Sequence, residues 1–301
     1  MNEMLFNELS LEWLAYKKCS IKISTYARYT RVVLKNIDPI LGLIKCRELN
    51  EHDIILFVNS LSLKNMSSKS IQDIVVIVKA IIKYGNMMGV THVILNLIPC
   101  PKVVVKKMEV LSLIQIQKLN QYLLRHPSSK NIGIILSLYG GMRLGEICAL
   151  TWDDIDLENN KIIVNKTMQR IYIDEYNTKV IISNPKTESS SREIPICSFL
   201  KEQLLMMDYK DGFVLRGTKG KYVEPKVLQN HFKKIIKEIG ECEFSFHILR
   251  HTFATQCIQC DVDVKSLSEI LGHSSVNITL NRYVHSSFHT KMKQIAKLTY
   301  E

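Results

Sequence analysis

The chain has 301 residues, a length that suits two domains, because single cores rarely grow beyond about 250–300 residues. Apolar residues make up 46% of the sequence, which excludes a disordered polypeptide. Lys and Arg outnumber Asp and Glu by 40 to 29, so the net charge is +11. A balance this basic favours a polyanionic partner, either nucleic acid or an anionic membrane surface. A basic protein that is merely soluble is the alternative.

The sequence shows no sign of membrane insertion or export. None of its apolar runs reaches the roughly 18 residues that a membrane-spanning helix needs. The first stretch, MNEMLFNELSLEWLAYKK, is acidic where a signal peptide is basic, and it lacks a small-residue cleavage site. We therefore expect a cytoplasmic protein with no membrane partner. Its eight cysteines are mostly dispersed and are expected to be free thiols.

The N-terminal third is predicted to be a small bundle of four helices. A first helix is indicated by apolar residues at helical spacing: Leu5, Leu9, Trp13 and Tyr16. The predicted N-caps of the next three helices are Ser24, Asn50, and Ser67 or Ser68. The pair Asp38-Pro39 is expected to end the second helix, and the fourth carries an apolar stripe from Ile71 to Ile82.

Basic residues are concentrated early in this region. Between Lys17 and Arg47 the sequence has eight Lys and Arg residues and one acid, Asp38. Such a run is commonly a solvated helix face. In a protein that is basic overall, with Tyr and Thr interleaved, a helix that follows a phosphate backbone is an equally good interpretation.

The prolines Pro99 and Pro101 mark a change in character, because IPCPKVVVKKMEV around them has no helical periodicity. We predict a helical domain over residues 1–100, a linker over about 90–109, and a second domain over 110–301 that ends in a tail helix. In this second domain a capping box should start a helix at Ser112. Strand patterns then follow in KIIVNKTM, KVIIS and SREIPI, before helices resume near Ser198.

Two basic residues stand at places suited to anion chemistry. Arg143 follows two glycines at the start of a helix, where its guanidinium and the helix N–H groups can meet a phosphate. A pair with Glu146 at i,i+3 is the plainer interpretation, and the two are compatible. Lys186 lies at the tip of a predicted hairpin. It is either an ordinary exposed lysine or a general acid for a leaving alkoxide.

A helix near the C-terminus carries His247 and Arg250 on one face. His251, at i+4 from His247, suggests a zinc site, but the sequence offers no third ligand, and we expect His251 to pack against the helix behind. The C-x-x-C of Cys257 and Cys260 also lacks a second pair, so a helical coincidence explains its spacing better than zinc.

His273 and Tyr283 complete the set of candidates. His273 follows a glycine at a helix stop, where a histidine often only makes a local hydrogen bond. Tyr283 lies on the next helix, where a tyrosine is normally part of the core with its hydroxyl at the rim. Individually, both residues have ordinary structural explanations.

Together these segments resemble the tyrosine recombinase (phage integrase) family of integrase and Xer-like site-specific recombinases. The resemblance rests on GGMRLGEICALTWDDID, NPKTESSSREIPI, HILRHTFAT, LGHSS and NRYVH, in the family's order and at family-like spacing. It covers residues 110–290 closely and the helical N-terminal region by architecture alone. One departure is Gly140, where many relatives carry Thr.

The resemblance implies a fold that is mainly α with a small β-sheet. It would combine a helical SAM-like core-binding domain with a mixed α/β catalytic domain. The implied catalytic residues are Arg143, Lys186, His247, Arg250, His273 and Tyr283, with no cofactor and no metal. Tyr283 would attack a DNA phosphate and form a 3′-phosphotyrosyl link. The two arginines and His273 would stabilise the transition state, Lys186 would protonate the leaving 5′-oxygen, and His247 would assist proton transfer at the tyrosine.

The implied partners are double-stranded DNA target sites and further copies of the chain, as a tetramer on DNA, with accessory proteins left open. A C-terminal stripe could dock on a neighbouring protomer or on its own domain: Phe288, Met292, Ile295 and Leu298. The strand insertion from Met168 to Ile182 slightly favours a mobile-element or inversion enzyme over dimer resolution. A topoisomerase of type IB and a non-catalytic DNA-binding regulator are the rival functions.

Overall fold

The structure, a computed structural model, describes residues 4–102, 108–174, 177–183, 191–217 and 221–283, with positions 292, 295 and 296. The chain divides into two compact units, Met1–Lys106 with Ile171–Lys179, and Lys107–Arg170 with Val180–Glu301. Helices dominate the described residues and the strands are few and short, which is the predicted fold class. The boundaries at residues 100 and 110 stay a prediction.

The first unit is built on a helical core. Its helices are α1 (Phe6–Lys18), α2 (Ile23–Val32), α3 (Asp38–Leu41), α4 (Glu51–Leu63) and α5 (Ser68–Met87). Large side chains such as Trp13 and Phe57 are almost fully buried. The predicted stripe of α5 is buried from Ile71 to Ile82, so burial of this apolar face holds the long helix in place.

The predicted helix starts are confirmed in two cases out of three. Asn50 accepts hydrogen bonds from the backbone N–H groups of His52 and Asp53 at 3.0 and 3.3 Å. Ser67 accepts from the N–H of Ser70 at 3.1 Å. Ser24 was the wrong N-cap, because the N-cap of α2 is Lys22, two residues earlier.

The prediction that Asp38-Pro39 ends the second helix is also wrong. The chain passes from α2 through a π-helical turn, Val33–Ile37, directly into α3. Pro39 lies in the first turn of α3, directly after the π-helical turn. The proline therefore lies within a continuing helical segment and does not end it.

The second unit contains eight α-helices in its described part. They are α6 (Leu113–Arg125), α7 (Ser129–Gly140), α8 (Leu144–Ala149), α9 (Ser198–Leu205), α10 (Pro225–Glu238), α11 (Ile248–Gln259), α12 (Val264–Leu271) and α13 (Val276–Tyr283). The helix α7 lies at the centre of the core, since most of its side chains are buried. The capping box predicted at the start of α6 is present, with Ser112 and Gln115 bonded reciprocally.

Five short strands complete the fold: β1 (Ile155–Asp156), β2 (Lys161–Val164), β3 (Thr167–Tyr172), β4 (Thr178–Ser183) and β5 (Arg192–Pro195). One sheet has the order β1-β2-β5 and is antiparallel, and β3 pairs with β4 separately. Val164 lies opposite Arg192, and Ile162 lies opposite Ile194. Because strand side chains alternate between faces, Arg192 enters the core on the same side as Ile194.

Two sequence predictions fall largely outside the described residues. Lys186 lies there, between β4 and β5, and so does most of the predicted tail helix. The eight cysteines are free thiols, as expected. Among the described residues, none of the helices combines the length and the apolar character needed to cross a membrane.

Gly141 provides a test of the packing around α7. It ends the helix in a left-handed conformation with φ of +63°, and a Cβ atom there would lie 2.5 Å from Cδ1 of Phe253. Gly212 has the same φ of +63° but has open space around it. We expect Gly141→Ala to lower the free energy of unfolding by about 2–4 kcal/mol, and Gly212→Ala by about 1 kcal/mol. Urea denaturation measures both, and equal losses would contradict the packing argument.

Candidate active site

Arg143 is held at the start of α8 by the acid predicted to be its partner. Its guanidinium Nη1 donates to Oε1 of Glu146 at 2.8 Å, and its backbone N–H donates to Oε2 of the same residue at 2.8 Å. The other guanidinium nitrogen, Nη2, donates to the carbonyl of Gly272 at 2.8 Å. The Arg143 side chain is still 36% exposed. It is therefore fixed in direction while part of it faces solvent.

Glu146 also binds a second arginine, Arg192 of β5. The nitrogens Nη1 and Nη2 of Arg192 donate to the two carboxylate oxygens at 3.0 and 2.9 Å. Both side chains are almost fully buried. Burial by itself would raise the pKa of Glu146, but the hydrogen bonds and charges of Arg192 and Arg143 outweigh it and lower the pKa to about 2. The carboxylate is therefore ionised at neutral pH.

Three arginines bind the C-terminal end of α12. Gly272 turns left-handed with φ of +62°, and the N–H groups of Gly272 and His273 bond back to the carbonyls of Glu269 and Ser268. The next three carbonyls each accept from a different guanidinium: Ile270 from Arg192 at 2.6 Å, Leu271 from Arg250 at 2.6 Å, and Gly272 from Arg143 at 2.8 Å. The negative end of the helix dipole favours these cations.

Arg250 is the most buried of the three, with 1% of its surface exposed. Besides the bond to Leu271, its Nη1 donates to the carbonyl of Gly141 at 2.7 Å. Burial and the charge of Arg143 lower its pKa to about 9, so it remains mostly protonated at neutral pH. The guanidinium of Arg250 thus bonds to a carbonyl at each of two left-handed glycine turns, the one that ends α7 and the one that ends α12.

Three histidines surround these cations. His247 and His251 lie one turn apart at the start of α11, with ring centroids 4.4 Å apart and nearly perpendicular rings. The Nδ1 of His273 lies 2.8 Å from the hydroxyl oxygen of Thr279. Desolvation and the nearby arginines lower the pKa of all three, to about 4 for His247 and His251 and about 3 for His273. These rings are neutral at pH 7, although His247 remains exposed.

Tyr283 ends α13 with its side chain 6% exposed. Its hydroxyl lies 2.8 Å from Nδ1 of His251, and its ring is parallel to that of His273 with centroids 6.4 Å apart. Burial raises the pKa of the phenol, against the opposing effect of Arg250, Arg282 and Arg143. His251 thus packs against a neighbouring helix, α13, and its ring contacts the Tyr283 hydroxyl there.

The structure brings together five of the six predicted residues: Arg143, His247, Arg250, His273 and Tyr283. Lys186, the sixth, lies outside the described residues. Sequence reasoning missed the contributions of Arg192 and His251. The alternation of β5 puts Arg192 on the face of Ile194, and the i+4 spacing puts His251 on the face of His247, so both could have been found.

The arrangement suits an anion rather than a metal. Two of the three guanidiniums bind the carboxylate of Glu146, and the third, that of Arg250, binds backbone carbonyls, so the site carries excess positive charge near a phenol. Hydrogen bonds also fix the orientations of the Arg143 and Arg250 guanidiniums. Arginines held in this way bind phosphate in a defined geometry. Within the part of the chain that the structure describes, there is no cluster of three or more His, Cys, Asp or Glu side chains that could hold a metal ion.

Known protein families match both units. The model of the phage integrase family matches residues 109–290, and the model of the phage integrase N-terminal SAM-like domain matches residues 5–62. The chain belongs to the phage integrase family, the tyrosine recombinases. This result confirms the family that the five sequence motifs indicated.

Individual relatives agree with this assignment. A tyrosine recombinase XerC-like protein of Caldanaerobacter subterraneus subsp. tengcongensis is 33% identical over 172 residues, covering 50% of this chain and 44% of its own length. The transposase of transposon Tn916 from Enterococcus faecalis is 26% identical over 195 residues, covering 58% and 46%. The chain thus spans less than half the length of these two relatives.

Solved structures share the fold. The integrase of transposon Tn1549, in complex with a circular intermediate DNA, has a TM-score of 0.81 at 20% identity, covering 98% of this chain and 100% of that one. A lambda integrase tetramer bound to a Holliday junction has a TM-score of 0.69 at 16% identity, covering 95% and 81%. At these sequence identities, the structural similarity establishes the fold of this chain.

The buried Glu146 makes stability depend on pH. Its folded pKa of about 2 lies below the ordinary value of 4.5, so its stabilising effect is complete above about pH 5 and is lost as the pH falls towards 2. Glu146→Gln should cost about 3–5 kcal/mol at pH 7, because Arg192 loses its buried partner. We expect the difference from wild type, measured by urea denaturation, to shrink between pH 5 and pH 2. The exposed Glu158→Gln is the control, and a constant difference would refute the linkage.

Proposed function

We propose that the chain is a site-specific DNA recombinase that cleaves and rejoins DNA through a 3′-phosphotyrosyl intermediate on Tyr283. The observation that carries the proposal is the position of this phenol. Its hydroxyl lies 2.8 Å from a neutral histidine, in a site where Arg143 and Arg250 bind adjacent carbonyls of one helix end. A nucleophile, a base and paired cations are what metal-free attack on a phosphodiester requires.

The arginines would bind the scissile phosphate. Arg143 is fixed by Glu146 and remains partly exposed, so it can donate to a non-bridging oxygen. The buried Arg250 adds a second positive charge, and His273 adds a ring nitrogen near the tyrosine. Charge on the phosphorane oxygens grows in the transition state, so donors with fixed orientations stabilise it more than the ground state. His247 assists proton transfer at the tyrosine from its place beside His251.

Lys186 would protonate the 5′-oxygen as it leaves. This role rests on the family motif NPKTESSSREIPI, since Lys186 lies outside the described residues. Attack by Tyr283 forms one phosphodiester bond as another breaks, so the energy of the broken bond is kept in the protein–DNA link. The free 5′-hydroxyl of a partner strand then attacks this link and releases the tyrosine. On this scheme the reaction needs neither ATP nor a cofactor.

The net charge of +11 supports duplex DNA as the partner. In the first unit, Arg28, Arg31 and Lys35 are exposed, at positions that share one helical face across α2 and the π-helical turn. Exposed cations at this spacing can contact successive phosphates, which fixes the position of a protein on DNA without reading its sequence. This face is the proposed contact of the helical domain.

We further propose a cytoplasmic enzyme that acts as a tetramer on two DNA sites and belongs to a mobile element. The lambda integrase tetramer on a Holliday junction supports the oligomer, and the Tn916 and Tn1549 proteins support the mobile element. A type IB topoisomerase would relax supercoiled DNA without exchanging strands. A non-catalytic regulator would bind DNA and never form a covalent adduct.

Tyr283→Phe tests the nucleophile. We expect it to abolish covalent attachment to DNA and leave DNA binding within about twofold, since only one hydrogen bond to His251 is lost. The variant can first select bound duplexes from a random-sequence pool, because it cannot cleave them. Nicked versions of the selected duplexes then trap the wild-type adduct on denaturing gels, and mass spectrometry locates the modified residue. An adduct formed by Tyr283→Phe would refute the proposal.

Lys186→Ala tests the general acid. Cleavage should slow by about 10²–10⁴-fold, the usual contribution of a positioned acid. A substrate with sulfur in place of the bridging 5′-oxygen has a leaving group of low pKa and should restore most of the rate. Lys179→Ala, at an exposed position of β4, removes a charge from the same segment and serves as the control. If the sulfur substrate gives no rescue, Lys186 is not the acid.

A further inference from the structure

The Tyr283 hydroxyl makes a direct contact that the family resemblance did not lead us to expect. Its oxygen lies 2.8 Å from Nδ1 of His251, a residue one helical turn beyond His247 on α11. His247 contacts the His251 ring at nearly a right angle. We infer that His251 is the general base that accepts the proton of Tyr283 during attack on the phosphate. This inference rests on the proposed recombinase function.

The geometry fits proton transfer. A base must lie within about 2.6–3.2 Å of the atom that it deprotonates, and the Tyr283–His251 distance is in that range. When the phenol O–H donates to Nδ1 of His251, the ring proton of His251 is on Nε2, and this is the tautomer that the inference requires. His251 is half-buried on α11, and Tyr283 is held opposite it at the end of α13. The pair is therefore already aligned before DNA binds.

The surrounding charges keep the acceptor nitrogen free of a proton. Arg250 and His247 flank His251 on α11, and Arg282 and Tyr283 face it from α13. Desolvation and the two arginines oppose protonation of the ring in the free protein. A bound phosphate would bring negative charge to Arg143 and Arg250. That charge would favour the imidazolium at the moment when the proton arrives.

The step balances without a further reactant. The O–H bond of Tyr283 breaks and its proton moves to Nδ1 of His251. The electron pair on the phenolic oxygen forms the new bond to phosphorus, and the bond from phosphorus to the 5′-oxygen breaks as that oxygen takes a proton from the proposed general acid, Lys186. In rejoining, the 5′-hydroxyl returns that proton to Lys186 as it attacks phosphorus, and the tyrosine oxygen leaves with the proton of the imidazolium. One residue thus serves as base in cleavage and as acid in rejoining.

His251→Asn separates proton transfer from positioning. The amide oxygen of asparagine can take the place of Nδ1 and still accept the tyrosine hydrogen bond, but it is not basic. On nicked duplexes at pH 7 we expect adduct formation to slow by about 10²–10⁴-fold with DNA binding unchanged. The rate should also rise more steeply with pH than in wild type, because the phenol must ionise without a base.

His231→Asn is the matched control. His231 is another half-buried histidine, and its Nε2 lies 2.7 Å from the side-chain oxygen of Asn131 in α7, outside the site. This variant should keep the wild-type rate and pH slope. Urea denaturation of both variants shows whether they fold. Should His251→Asn fail to fold, nitrogen NMR of labelled histidines in wild type replaces it: the proton of His251 is expected on Nε2, and a proton on Nδ1 would refute the inference.

The outcomes separate the two proposals. A wild-type rate and pH slope in His251→Asn would refute the role of His251 as base and leave the recombinase function standing. Faster cleavage by the variant would also refute it, because it would show that His251 restrains the tyrosine. If wild-type protein forms no adduct on duplexes that it selects, the recombinase function itself fails. A slower variant with a steeper pH slope supports the inference.

Discussion

Backbone carbonyls at the end of α12 need hydrogen-bond donors, and the residues that supply them organise the site. Beyond the left-handed turn at Gly272, the carbonyls of residues 270–272 accept from Arg192, Arg250 and Arg143. Each would cost about 1–3 kcal/mol if it were buried without a donor. The three arginines come from β5, α11 and the start of α8, and residues 143 and 272 are 129 positions apart. One helix end thus joins segments that are distant in the sequence.

Glu146 supplies negative charge beside the arginines and sets the direction of two guanidiniums. It binds the guanidinium of Arg192 through both of its oxygens and the guanidinium of Arg143 through one, and it is almost fully buried. One carboxylate cannot neutralise three guanidiniums, so positive charge remains. That excess helps to keep His247, His251 and His273 neutral. The same interaction therefore prepares a phosphate site and leaves a histidine able to accept a proton from a phenol.

Local signals in the sequence predicted much of the structure. The caps at Asn50, Ser67 and Ser112 were found because each side chain bonds to an N–H within three residues. The glycine break before Arg143 and its pairing with Glu146 are equally local. Ser24 and Asp38-Pro39 misled us. The chain continues from α2 through a π-helical turn into α3, so the local stop signal of Asp38-Pro39 does not end the helical segment.

The sequence by itself determined the helical fold class, the family and the residue types of the site, because these depend on periodicity and on short ordered motifs. It did not predict which histidine touches the tyrosine or that Arg192 shares Glu146 with Arg143. Those contacts join α11 to α13 and β5 to α8, and only packing sets the distance between such elements. Tyr283 is an ordinary core tyrosine in its own segment. The arginines and His251 brought to it by the tertiary structure make it a candidate nucleophile.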